Sequence, residues 1–68
     1  MPSIKELRVT KGWSQMELAT RAGLSITTIV NMEAGKPVQR TTMLLVTRVL
    51  EVKPEDVTGI NVQNRLSA

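Results

Sequence analysis

SQMELATRAGLSITTIVNMEAG, residues 14–35, is the stretch whose punctuation decides the fold. Ser14 followed three places on by Glu17 reads as a capping box, a hydroxyl accepting from the first turn while a carboxylate reaches back to the cap. Gly23 is placed to end that helix in the left-handed conformation, which bounds a helix of roughly 15–22. Ser25 then caps a further helix of about 26–34 that Gly35 stops. Only Gly23 and Leu24 separate the end of one helix from the cap of the next, so the chain turns sharply between them. Leu18 and Ala22 share one face of the first helix, and Ala19 is small where the two must approach closely. Leu24, Ile29 and Met32 complete the core from the other side.

The same punctuation continues outward in both directions. Ser3 with Glu6 repeats the capping box and Gly12 the glycine stop, giving a helix of about 4–11. Trp13, the sole aromatic, reads as a core anchor between the first two helices. Beyond Gly35, Pro37 cannot continue a helix and Lys36 to Arg40 is polar apart from Val38, so a loop with a base at each end is expected. Thr41 or Thr42 then caps a fourth helix, on which Met43, Val46, Thr47 and Leu50 fall at i, i+3, i+4 and i+7 and make an inward face. Pro54 at a first helical position, with Glu55 and Asp56 beside the positive end of the helix dipole, starts a short fifth helix that Gly59 ends. Residues 60–68 carry no helical period and strand signals are weak. The expectation is an all-α fold of five helices in a domain spanning 1–59, followed by a C-terminal tail, 60–68.

Composition narrows the chemistry. At 68 residues the chain makes one small domain, and with 19 Leu, Ile and Val it holds enough apolar material to fold. There is no cysteine and no histidine, which removes disulfides, thiolate zinc sites and histidine-based catalysis. The remaining hydroxyls and carboxylates have no base near neutrality to activate them, so neither an enzyme nor a cofactor or metal is expected. The longest apolar run, Met43 to Val46, is far short of the ~20 residues of a membrane helix, and MPSIKELR has no hydrophobic signal region. A soluble, cytoplasmic protein is expected. The net charge of +3 is modest, but all of the excess lies in residues 1–40, where six bases face three acids. Such a bias points to a polyanionic partner or simply to a soluble surface.

Two helices joined by a short glycine turn at a steep angle form a helix-turn-helix, whose second helix enters the DNA major groove. A plain helical hairpin fits the same apolar and small residues, but the turn length and Ala19 together favour the former. IKELR (4–8), GWSQMELATRAGLSITTI (12–29), NMEAGK (31–36) and VLEV (49–52) resemble the phage-repressor and Cro-type helix-turn-helix family, often called XRE. The resemblance runs from Ile4 to Val57 and implies a compact five-helix domain that binds operator DNA as a transcriptional regulator near the nucleoid. It also implies a phosphate contact at Gln15, with Ser14 capping the helix that Gln15 opens, and base contacts at Ile26, Thr27 and Asn31. The resemblance further implies backbone contacts on the loop after the recognition helix, at Lys36 and Arg40, which Gln39, Thr41 and Thr28 can join, since phosphate accepts from amides and hydroxyls as well as bases.

Side-chain chemistry supports the base readers in part. Asn31 can pair with adenine and Ile26 can meet a thymine methyl, but the 26–34 helix holds no Arg, Lys or Gln to grip guanine, so readout leans toward A·T pairs. Val30 departs from the polar habit of the family on this stretch, and reads as a sugar or methyl contact or as neutral. Arg8, on the face with Ile4 and Leu7, and Glu33, beside Ile29 and Met32, should both point partly inward, and the resemblance implies that they meet as an ion pair. Leu45 and Val49, with Leu44, lie off the core stripe of the fourth helix. With Pro54, Ile60 and Val62 they form a candidate patch for a two-fold homodimer, unless the tail folds back over them within one chain. A competing function is a protein-interaction module, such as an antitoxin-like component, that keeps the fold.

Overall fold

The computed structural model describes residues 1–63. Four helices, a single 3-10 turn and a pair of short strands follow one another in the order α1 (Ile4–Thr10), α2 (Gln15–Ala22), α3 (Ile26–Glu33), β1 (Pro37–Gln39), α4 (Arg40–Val49), the turn Pro54–Asp56, and β2 (Asn61–Gln63). α2 packs against both α3 and α4, and α1 against α3. The interior is built from Ile4, Leu18, Ala19, Ala22, Ile29, Met32, Val38, Val46 and Leu50. Met43 and Thr47 complete the buried face of α4, where the Thr47 hydroxyl donates to the Met43 and Leu44 carbonyls and so needs no partner outside its own helix.

The ends of the helices explain why they are so short and so sharply turned. Ser3, Ser14 and Ser25 each accept a hydrogen bond from the backbone three residues on, at Glu6, Glu17 and Thr28. At the other end all four helices close with the same pair of hydrogen bonds, in which two successive amides beyond the helix reach back to its last carbonyls. For α2 these are Gly23 to Thr20 and Leu24 to Ala19; for α4 they are Glu51 to Arg48 and Val52 to Thr47. The residue at the bend must take positive φ. Glycine does so at 12, 23 and 35, whereas Glu51 does so as a non-glycine residue, at φ 59°.

Four expectations are corrected. The fifth helix is a three-residue 3-10 turn, Pro54–Asp56, because Val57 already returns to extended backbone. The polar loop at 36–40 contains β1, which pairs in parallel with β2 through Pro37–Asn61, Val38–Val62 and Gln39–Gln63. Val38 is the buried member of β1, which is why a lone valine stands among polar neighbours. α4 starts two to three residues earlier than the threonines suggested, with Gln39 at the cap position and no side-chain cap bond. Finally, the second capping box is only half formed: Ser14 caps α2, but the Glu17 carboxylate pairs with Arg21 Nε at 2.8 Å, one turn along the same helix. Within the expected tail, residues 64–68 lie outside the described residues, while Ile60 packs against the core and Asn61–Gln63 form β2.

Candidate nucleic-acid interface

α3 is held by its inner face and leaves the outer one to solvent. Ile29 and Met32 are buried between α2 and the rest of the core. A helix of 3.6 residues per turn then puts Ile26, Thr27, Val30 and Asn31 together on the opposite side. Ile26 and Val30 are 41% and 42% exposed, Thr27 is exposed and Asn31 is half-buried. Thr28 stands at the edge of this face, its amide bonded to Ser25 Oγ and its hydroxyl sharing a 2.9 Å hydrogen bond with the same oxygen.

Beside α3 runs an open groove of about 190 Å³, lined by Thr28, Asn31, Pro37, Val38, Gln39 and Thr42. The groove therefore gathers three of the expected contact residues, Thr28 and Asn31 from α3 and Gln39 from β1. Thr42 is an addition. The sequence offered its hydroxyl as a helix cap, but α4 begins at Arg40, which leaves Thr42 free of that role and on the groove wall. Lys36, Arg40 and Thr41, next in sequence to lining residues Pro37, Gln39 and Thr42, are exposed. The strand pair fixes this wall, and the Asn61 amide donates to the Gly35 carbonyl at 3.4 Å, tying β2 to the end of α3.

Behind the outer face lies an ion-pair network that joins three helices. Arg8 on α1 donates from Nε to Glu33 Oε2 at 2.7 Å and from Nη2 to Oε1 at 3.1 Å, while its Nη1 reaches the Trp13 carbonyl at 2.8 Å. Gln15, the first residue of α2, donates from Nε2 to Glu33 Oε1 at 3.0 Å. Burial of the Glu33 carboxyl pushes its pKa up, but the hydrogen bonds from Arg8 and Gln15 and the charges of Arg8 and Lys5 together outweigh that, and it is held below the ordinary glutamate value. The same bonding raises the Arg8 guanidinium, chiefly through its hydrogen bond to Glu33 and against the cost of burial. Two consequences reach the outer face. The carboxylate of the one acidic residue on α3 is turned inward and neutralised, so α3 presents no negative charge. Gln15 is oriented by Glu33, with one of its two amide N–H groups left for another acceptor.

Trp13 is half-buried against the core, and its ring also carries two cations, Arg21 at 4.4 Å and Lys11 at 5.4 Å from the centroid. The candidate dimer residues divide. Leu45 is exposed beside Leu44 on α4, whereas Val49 and Ile60 are half-buried against the core and Pro54 and Val62 are half-buried. Among the described residues no helix is long and apolar enough to cross a membrane.

A family model described as helix-turn-helix matches residues 4–57, from the first residue of α1 through the 3-10 turn. No curated protein and no solved structure matches the chain.

Proposed function

The chain belongs to the phage-repressor-type (XRE) helix-turn-helix family, a DNA-binding family, and from that premise we propose that it binds double-stranded DNA sequence-specifically as a transcriptional regulator. The observation that carries this reading is the outer side of α3, which bears no negative charge and adjoins a groove lined by the hydroxyls and amides of Thr28, Asn31, Gln39 and Thr42 together with Pro37 and Val38, with the exposed bases Lys36 and Arg40 at either end of the lining strand in sequence. In the major groove, Ile26, Thr27 and Asn31 face base edges. Gln15, Thr28, Lys36, Gln39, Arg40 and Thr41 hold the phosphates, and Ser14 contributes by fixing the start of α2 so that Gln15 is aimed. Two-fold pairing of domains through the Leu44–Leu45 surface places two such helices about 34 Å apart, one turn of DNA. The 1–59 domain would act with residues 61–63 pairing against the β1 wall of its groove, and the protein would work in the cytoplasm on the nucleoid.

A second reading, a protein-interaction module that retains the fold, draws on one observation: Ile26 and Val30 face solvent as an apolar pair. Selection of bound duplexes from a random pool separates the two. The DNA-binding reading expects a recovered consensus, bound on the order of 10³-fold or more tighter than a scrambled duplex at the same salt. Recovery of no duplex overturns it, and equal affinity for consensus and scrambled duplexes overturns its specificity.

A further inference from the structure

The recognition helix of a DNA-binding domain ordinarily reads base edges with hydrogen-bonding side chains, yet the outer face of α3 offers a single amide, Asn31, beside Thr27 and the exposed pair Ile26 and Val30. Neither belongs to the buried core, which on this helix is supplied by Ile29 and Met32, and both keep more than two-fifths of their surface open to solvent. Hydrogen bonding cannot be what they supply. We propose that Ile26 and Val30 together read pyrimidine C5-methyl groups, so that this protein senses base methylation and accepts 5-methylcytosine at positions where it accepts thymine.

The proposal rests on α3 being the recognition helix, and it goes further by naming what the helix recognises. Residues i and i+4 are separated by about 6 Å along a helix, between one and two of the roughly 3.4 Å steps of a DNA strand, so the pair reaches two methyl groups one or two steps apart. In the major groove thymine differs from cytosine both by its methyl and by a carbonyl in place of an amino group. Isoleucine and valine carry no donor or acceptor with which to tell the carbonyl from the amino group. The methyl is then the whole of the signal they can read. The setting favours a nucleic-acid occupant over an apolar partner surface: Glu33 is paired inward, Lys36 and Arg40 flank in sequence the strand that lines the adjoining groove, and Asn31 stands beside Val30 with an amide suited to adenine.

The test uses the duplex recovered by selection and the full chain. Replacing one thymine at a time by deoxyuridine removes the methyl and nothing else. At one or two positions affinity should fall roughly four-fold, the factor that burying one methyl-sized group is worth. At those positions cytosine should bind poorly, and 5-methylcytosine should recover about four-fold relative to cytosine. In the variant Ile26→Ala with Val30→Ala, whose folding is checked by circular dichroism, the thymine-to-deoxyuridine ratio should drop to about one. A duplex that binds equally with thymine and deoxyuridine throughout overturns the inference while leaving the DNA-binding reading intact. A methyl effect that survives in the double variant overturns the assignment to Ile26 and Val30. If no duplex is recovered, both the reading and the inference fall.

Discussion

Arg8 and Glu33 form a two-pronged ion pair, Nε to Oε2 at 2.7 Å and Nη2 to Oε1 at 3.1 Å, with side chains only 11% and 6% exposed, and the pair fastens α1 to the end of α3. Its position matters more than its gross strength. A buried pair roughly breaks even against apolar residues, whereas removing one partner strands the other, at a cost of about 3–5 kcal/mol. A chain of this length has a total stability of only about 3–10 kcal/mol. Arg8→Met should therefore unfold the domain or lower its urea midpoint severely. The double variant Arg8→Met with Glu33→Leu should be more stable than either single change. An Arg8→Met protein as stable as the parent would refute this account of the pair.

The same carboxyl makes stability depend on pH. Because Glu33 is held below its ordinary value in the folded protein, the unfolded chain takes up its proton first as pH falls. The Glu33 contribution is thus fully present above the unfolded value, about 4.3, and is lost as pH drops through the lower folded value. Glu33→Gln has no such proton to gain. The stability gap between parent and variant should be flat above about pH 5 and should shrink below about pH 4. Thermal melts across that range check it; a gap that stays constant down to the acid limit would show that Glu33 does not titrate with unfolding.

Most of the helical frame was legible because it is written in local chemistry. Serine caps at 3, 14 and 25 and glycine bends at 12, 23 and 35 act within one turn of chain, and the structure places all six in those roles. What escaped was non-local. A three-residue strand is too short to show a period of two, and its partner lies 24 residues further on. A faint trace was present, since Val-Gln occurs at 38–39 and again at 62–63, the two copies that align in the strand pair. At the interface, Ile29 and Met32 were legible as the inward side of α3 from the sequence, while Ile26, Thr27 and Asn31 as its outward side came from the family resemblance. The wall that turns this face into a groove depends on the missed strand pair, and Thr42 was missed with it.

Glu51 tests how far the shared helix ending can be improved. It occupies the bend position filled by glycine after the other three helices, at φ 59°, a conformation that costs an L-residue roughly 1–2 kcal/mol. Glycine removes that strain but adds freedom to the unfolded chain, which takes back part of the gain. The ion pair lost with Glu51, to Lys11 at 3.8 Å, is exposed and contributes little. Glu51→Gly should raise the melting temperature by several degrees, corresponding to a net gain of up to about 1 kcal/mol. A lower melting temperature would mean that the Glu51 side chain does more than the geometry assigns to it.

Leu45 lies on the outer side of α4 beside Leu44, with both leucines exposed. Under two-fold binding they meet their copies in the partner domain, and a charge placed there opposes itself across the axis. Leu45→Glu should leave the melting temperature nearly unchanged, since surface substitutions usually fall within about 0.5 kcal/mol. It should nonetheless abolish cooperative filling of a palindromic duplex. Sedimentation with and without duplex decides the matter: a parent protein that is monomeric in both, and fills half-sites independently, would remove this surface from consideration.

The proposed division between reading and positioning residues has its own signature in salt. Lys36 and Arg40 are exposed bases at either end, in sequence, of the strand lining the groove, and a phosphate contact acts by releasing a counterion. Lys36→Ala and Arg40→Ala should weaken consensus and scrambled duplexes alike, and each should reduce the slope of log affinity against log salt by roughly one unit. Asn31 sits where the outer face of α3 meets the groove, and its amide can pair with the two acceptor and donor positions of adenine. Asn31→Ala should leave the salt slope unchanged and relax preference at one base pair, by about 1–3 kcal/mol for a two-bond contact. Gln15 falls between these classes, because its amide is also bonded to Glu33. Gln15→Ala should lower both stability and affinity for all duplexes, with no change in the preferred sequence. If Asn31→Ala instead shifts every duplex by the same factor, as Lys36→Ala is expected to do, α3 is not oriented with Asn31 toward the bases and the assignment of readers fails.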